Sequence, residues 1–79
     1  MREEILASIK SIVNDMFGIE PDSITEESNM YEDLSVDSLD LVALISELED
    51  KYDIHIPTDT LTEIRTIAEL IDTIESMTK

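Results

Sequence analysis

Leu34-Ser35-Val36-Asp37-Ser38-Leu39-Asp40-Leu41 is the stretch on which the reading of this chain turns. An aperiodic segment ends here and a helical period begins. Leu41, Leu44, Ile45, Leu48 and Tyr52 share one side of a helix at ~100° per residue, which predicts an amphipathic helix from about Asp37 to Lys51. Leu39 does not join them. It falls nearly opposite that stripe, beside Ala43, Ser46 and Asp50. Ser38 lies in the first turn, where unpaired backbone N–H groups and the positive dipole end favour an anionic group esterified to its hydroxyl. Taken alone, the pair is also explained by Asp37 or Ser38 acting as a plain helix cap. An off-stripe leucine beside Ser38, rimmed by Asp40, Glu47 and Asp50, gives a reason to expect a modified serine next to a partner-binding spot.

Upstream, Ile5, Leu6, Ile9, Ile12, Val13 and Met16 follow the helical period. Glu3 and Glu4 occupy the first turn, where the dipole favours acids, and Gly18 stands where a left-handed C-cap is expected. Residues 19–36 lose the period. Pro21, Asp22, Ser23, Thr25, Ser28 and Asn29 are loop formers, and Ile19, Ile24, Met30, Tyr31 and Leu34 are candidate anchors for a long connection. Downstream, Pro57 disfavours helix at Ile56. A short helix around Thr58–Glu63 should bury Leu61 and Ile64. A last helix starts at Thr66, with Glu69 three residues on as a capping box and Ile67, Leu70, Ile71, Ile74 and Met77 as its apolar face. Tyr52–Ile56 alternates, but it is short and alone. The expected fold is all-α: one domain over residues 1–79, a small four-helix bundle with three main helices, one short helix and a long first loop.

Composition narrows function. The chain has 79 residues and a formal net charge of −15. Such a surface repels phosphate backbones and anionic membranes, and it suits basic protein partners. The charge is uneven: residues 20–40 hold eight acids and no base. A solvated acidic surface and a docking surface both account for that run. Without cysteine there is no disulfide, zinc-thiolate site or catalytic thiol. A single glycine cannot build a P-loop or a dinucleotide fingerprint, and no EF-hand glycine serves the acidic loop, so no metal site is expected. The start, MREEILASIK, lacks the apolar run of a signal peptide, and a cytoplasmic location is expected.

Asp37-Ser38-Leu39, the acidic loop with Asp33-Leu34 and the downstream Tyr52-Asp53-Ile54-His55-Ile56-Pro57 resemble the acyl carrier proteins over nearly the whole chain. The resemblance implies that a phosphopantetheinyl transferase moves phosphopantetheine from coenzyme A onto Ser38. The terminal thiol then carries an acyl group as a thioester, for fatty-acid, polyketide or related biosynthesis. It implies a monomeric carrier and not an enzyme. Its partners would be acyl or malonyl transferases, ketosynthases or acyl-ligases with basic docking surfaces. The expected partner face comprises Asp37, Leu39, Asp40, Val42, Ala43, Ser46, Glu47 and Asp50. With phosphopantetheine as the only thiol, no internal cysteine can capture the acyl group.

Four positions depart from the fatty-acid-synthesis pattern. Those carriers usually have glycine where Ser35 stands, an acid at Ala43, methionine at Ser46 and an acid at Lys51. A specialised carrier, including an aminoacyl or peptidyl type, is therefore an alternative. An acidic adaptor without a prosthetic group is another. A Ser38–His55 catalytic pair is disfavoured: Ser38 has no nucleophile-elbow glycines, and His55 lies beyond the second helix.

Overall fold

The computed structural model describes residues 2–78. Four α-helices follow in order: α1 (Arg2–Phe17), α2 (Ser38–Tyr52), α3 (Thr58–Leu61) and α4 (Ile67–Thr78). The first loop contains a 3-10 turn at Pro21–Ser23. An isolated antiparallel bridge pairs Asn29 with Thr66, and no strand forms among the described residues. No described helix is long and apolar enough to cross a membrane.

Helix α1 buries Ile5, Ile9 and Val13, one residue per turn, and packs against α2 and α4. It ends where expected. Gly18 adopts φ 70°, a left-handed conformation that glycine enters without a Cβ penalty, and its N–H donates to the Asn14 carbonyl at 2.9 Å. Helix α2 buries Leu41, Leu44, Ile45 and Leu48. It starts at Ser38 and reaches Tyr52, one residue later at each end than the period alone suggests. Asp37 is extended, because it serves as the cap rather than the first helical residue. The Tyr52 hydroxyl donates to Ser8 Oγ (3.0 Å), fastening the end of α2 to α1. Helix α3 stops at Leu61, short of the expected Glu63. Ile64 is buried, but Leu61 is only half-buried.

At α4 the capping box forms. Thr66 Oγ1 accepts from the Glu69 N–H (3.2 Å), and Glu69 Oε1 accepts from the Thr66 and Arg65 N–H groups (3.1 Å each). These donors hold the Glu69 carboxyl below the ordinary glutamate range. Thr66 is thus the cap, and the helix proper begins at Ile67. The long loop satisfies the remaining first-turn donors of α4. Ile67 N–H donates to the Ser28 carbonyl (3.0 Å) and Ala68 N–H to the Glu26 carbonyl (2.8 Å).

That loop is anchored by side chains, as its length predicts. Ile24, Met30 and Leu34 are buried, and so is Val36, which the period does not single out. Two expected apolar positions lie at the surface instead: Met16 is 38% exposed and Tyr31 37%. The Arg2 guanidinium joins α1 to the loop and to α4, pairing with Glu26 (2.6 Å), Asp72 and Glu75 (2.8 Å). These three acids push its pKa further above an already high value.

Candidate functional site

The site is built at the start of α2. Asp37 Oδ1 accepts from the Asp40 N–H at 2.8 Å, so Asp37 supplies the side-chain cap and Ser38 does not. Ser38 is the first helical residue and is exposed. Its hydroxyl therefore stands at the positive end of a 15-residue helix, free of the capping task.

The loop brings Ser38 there through a tight turn. Asn29 Oδ1 accepts from the Tyr31 and Glu32 N–H groups (2.9 and 3.0 Å), while Asp33 Oδ2 accepts from the Asn29 N–H (2.7 Å). Met30 N–H donates to the Arg65 carbonyl (2.8 Å), and Met30's own carbonyl accepts from Val36 N–H (2.8 Å). Buried Leu34 and Val36 flank Ser35, which is exposed and left-handed at φ 56°. A side chain costs energy in that conformation, which is a physical reason to expect glycine there.

The outward face of α2 carries the predicted partner residues. Leu39 is 81% exposed and Val42 55%. Ala43, Ser46, Glu47 and Asp50 are exposed, Asp37 is exposed beside Ser38, and Asp40 is half-buried. The helix thus spreads them from its N-terminus along one outward face, with an apolar strip rimmed by acids.

A groove of about 210 Å³ opens beside Ser38, between α2 and the α3 region. Leu41, Val42 and Leu61 line it together with Tyr31, Thr58 and Thr62, and its walls are mostly apolar. Sequence reasoning does not find this groove. Tyr31 is read as a loop anchor and Leu61 as core, and Thr58 and Thr62 give no periodic signal.

His55 lies elsewhere. It is exposed, and its Nδ1 is 3.2 Å from Glu49 Oε2. Glu49 also accepts from the Ile56 N–H (2.7 Å), pinning the connection between α2 and α3. Glu49 sits about 16 Å along the α2 axis from Ser38, at ~1.5 Å per residue, so His55 does not reach the serine. Among the described residues, no group of three or more His, Cys, Asp or Glu is arranged to hold a metal ion.

Residues 7–74 match the family described as "Phosphopantetheine attachment site". The chain is 42% identical over 74 residues to an acyl carrier protein of Lactobacillus acidophilus, covering 94% of this chain and 92% of the relative. It is 38% identical over 76 residues to the meromycolate extension acyl carrier protein of Mycobacterium leprae, covering 96% of this chain but 66% of that longer protein. Among solved structures, the acyl carrier protein of Thermotoga maritima superposes with a TM-score of 0.86 at 25% identity, over 96% of this chain and 88% of that one. The acyl carrier protein of Enterococcus faecalis gives a TM-score of 0.81 at 32% identity, over 98% of both chains.

Proposed function

The chain belongs to the phosphopantetheine-attachment family of acyl carrier proteins, and from that premise we propose that Ser38 bears the phosphopantetheine and that residues 1–79 form one carrier domain. The observation that carries the reading is the division of labour at the head of α2. Asp37 caps the helix, and the adjacent Ser38 hydroxyl stands exposed at the positive end of the dipole.

The residues present fit the group. An exposed hydroxyl gives a transferase access, the helix N-terminus suits a phosphodiester, and the groove beside Ser38 offers room along the first part of an arm. Phosphopantetheine supplies a terminal thiol that holds an acyl group as a thioester. Ser38 supplies the hydroxyl oxygen that joins the phosphorus. The chain contributes recognition rather than catalysis. Leu39, Val42 and Ala43 give a small apolar contact, while Asp37, Asp40, Glu47 and Asp50 steer basic partners to it. Those partners are a phosphopantetheinyl transferase and the acyl or malonyl transferases, ketosynthases or acyl-ligases that use the thioester. The proposed carrier works as a cytoplasmic monomer.

A specialised pathway is favoured over primary fatty-acid synthesis by the outward face of α2. Its exposed Ala43 and Ser46 replace the acid and methionine usual in fatty-acid carriers.

Intact mass after treatment with coenzyme A and a broad-specificity transferase tests the attachment. The wild type should gain one phosphopantetheine. Ser38→Ala should keep its helical circular-dichroism spectrum and gain nothing. A mass gain on the variant would move the attachment to another residue.

A further inference from the structure

We propose that Arg2 latches a strap, residues 26–30, and that strap and the turn leading to Ser38 open together as one unit while the helical bundle stays closed. Its bearing on carrier loading rests on Ser38 as the attachment serine; the unit itself does not.

The strap lies antiparallel on the segment that starts α4. Asn29 bridges Thr66. On either side of that bridge, the Glu26 carbonyl accepts from Ala68 N–H (2.8 Å), the Ser28 carbonyl accepts from Ile67 N–H (3.0 Å), and Met30 N–H donates to the Arg65 carbonyl (2.8 Å). The last two residues of the strap also hold the turn. The Asn29 carbonyl accepts from the Asp33 and Leu34 N–H groups (2.8 and 3.2 Å), and the Met30 carbonyl accepts from Val36 N–H (2.8 Å). Val36 stands two residues before Ser38. Backbone displaced at Asn29 and Met30 therefore carries the turn with it.

The latch follows from where the charges lie. Residues 20–40 hold eight acids and no base, so Glu26 finds its cation in another segment. Arg2 Nε and Nη2 both donate to Glu26 Oε1 (2.9 and 2.6 Å), while Nη1 donates to Asp72 and to Glu75 (2.8 Å) on α4. One planar guanidinium thus ties α1, the strap and α4 together. A single exposed ion pair contributes little, but here the charges form a network across three segments. Buried Met30 is the apolar anchor of the strap and Arg2 its ionic one. The four side chains stay partly exposed, so salt weakens the ionic anchor and leaves the apolar one in place. Each long helix keeps its own ladder of bonds, which is why the strap is the part that opens locally.

Amide hydrogen exchange on the unmodified protein tests the unit. In Arg2→Gln the Met30, Leu34, Val36, Ile67 and Ala68 amides should exchange at least ~5-fold faster together, with the Leu44 and Leu48 amides of α2 unchanged within ~2-fold. Glu26→Ala should do the same, although it relieves a chain of net charge −15 of one negative charge. Glu27→Ala is the control: its carboxylate makes no ion pair among the described residues, and exchange should stay at the wild-type rate. The gap between wild type and Arg2→Gln should narrow in about 1 M salt, where the Debye length is only ~3 Å. Equal acceleration of all amides, a faster strap without faster Leu34 and Val36, no acceleration in either latch variant, the same effect from Glu27→Ala, or a gap that ignores salt would each overturn the proposal. A mass gain on Ser38→Ala would remove the attachment reading instead and leave the unit to be judged by exchange alone.

Discussion

Asp37 holds the start of α2 through Asp40: the Asp37 carboxylate accepts the Asp40 N–H at 2.8 Å, one residue either side of Ser38 and Leu39. The same carboxylate lies on the face proposed to meet basic partners. Its two roles, cap and steering charge, separate by substitution.

Asp37→Ala removes both. Loss of an N-cap costs about 1 kcal/mol, and for a domain this small ~1 kcal/mol lowers the melting temperature by roughly 4–8 °C. Asp37→Asn keeps an oxygen that can accept from Asp40, so its melting temperature should stay near wild type. Its loading by the transferase should nevertheless slow at low salt, because rim charges act on the association rate. The deficit should shrink as the Debye length falls from ~10 Å at 0.1 M to ~3 Å at 1 M. Equal melting temperatures for the alanine and asparagine variants would remove the capping role.

Ser35→Gly should stabilise the protein. Ser35 is left-handed at φ 56° and exposed, so the substitution relieves strain and removes no buried contact. The relief is ~1–2 kcal/mol, partly offset by the extra freedom of glycine in the unfolded chain, for a net gain of about 0.5–1 kcal/mol. Thermal melting of the two proteins at equal salt measures it. No gain would mean the turn is not strained by its side chain.

How far the sequence foretells these features follows from their range. Helical period and local caps are short-range, so α1, the core stripe of α2, the Thr66–Glu69 box and the Gly18 terminus are all legible in the order of residues alone. Exposure of Leu39 is legible for the same reason. The departure from glycine at Ser35 is visible in the sequence, but its left-handed backbone is not. That conformation is imposed by buried Leu34 and Val36 and by the Met30–Arg65 and Val36–Met30 bonds. The groove is invisible for a related reason. It lies between α2 and the α3 region, whose ends are tied by the Ile56 N–H to Glu49 and by the Met30 N–H to the Arg65 carbonyl. Leu61 lines the groove while still packing, half-buried, against the core.

Glu69 predicts an acid limb in stability. Its pKa is lowered in the folded state, first by the Arg65 N–H and then by the Thr66 N–H, both of which bond the ionised form. A lowered carboxyl contributes stability that is fully present above its unfolded value, about 4.3 for glutamate, and is lost as pH falls through the lower native value. The melting-temperature difference between wild type and Glu69→Gln should therefore be largest near neutrality and narrow on acidification below the ordinary glutamate range. An NMR titration of Glu69 should show a midpoint below that of an ordinary glutamate. A midpoint at or above it would reverse the sign.

Partner choice should follow the outward face of α2. Leu39, Ala43 and Ser46 lie there exposed, with two small uncharged residues where fatty-acid carriers usually have an acid and a methionine. A few residues carry most of the energy of a small interface, and a missing charge contact and a missing apolar contact each cost ~1–2 kcal/mol. Together that is a roughly 30-fold to 1000-fold loss in affinity if the two add. The loaded protein should therefore be a poor substrate for a housekeeping malonyl transferase and ketosynthase, and the double change Ala43→Glu with Ser46→Met should restore much of the rate. Loading of Ser38 should change less, on the proposal that the transferase also docks at the Asp37–Asp40 end of the helix. Initial rates of malonyl transfer to wild type, double variant and a housekeeping carrier decide the matter. Equal rates for all three would show that this face does not select the pathway, and the specialised assignment would fall with it.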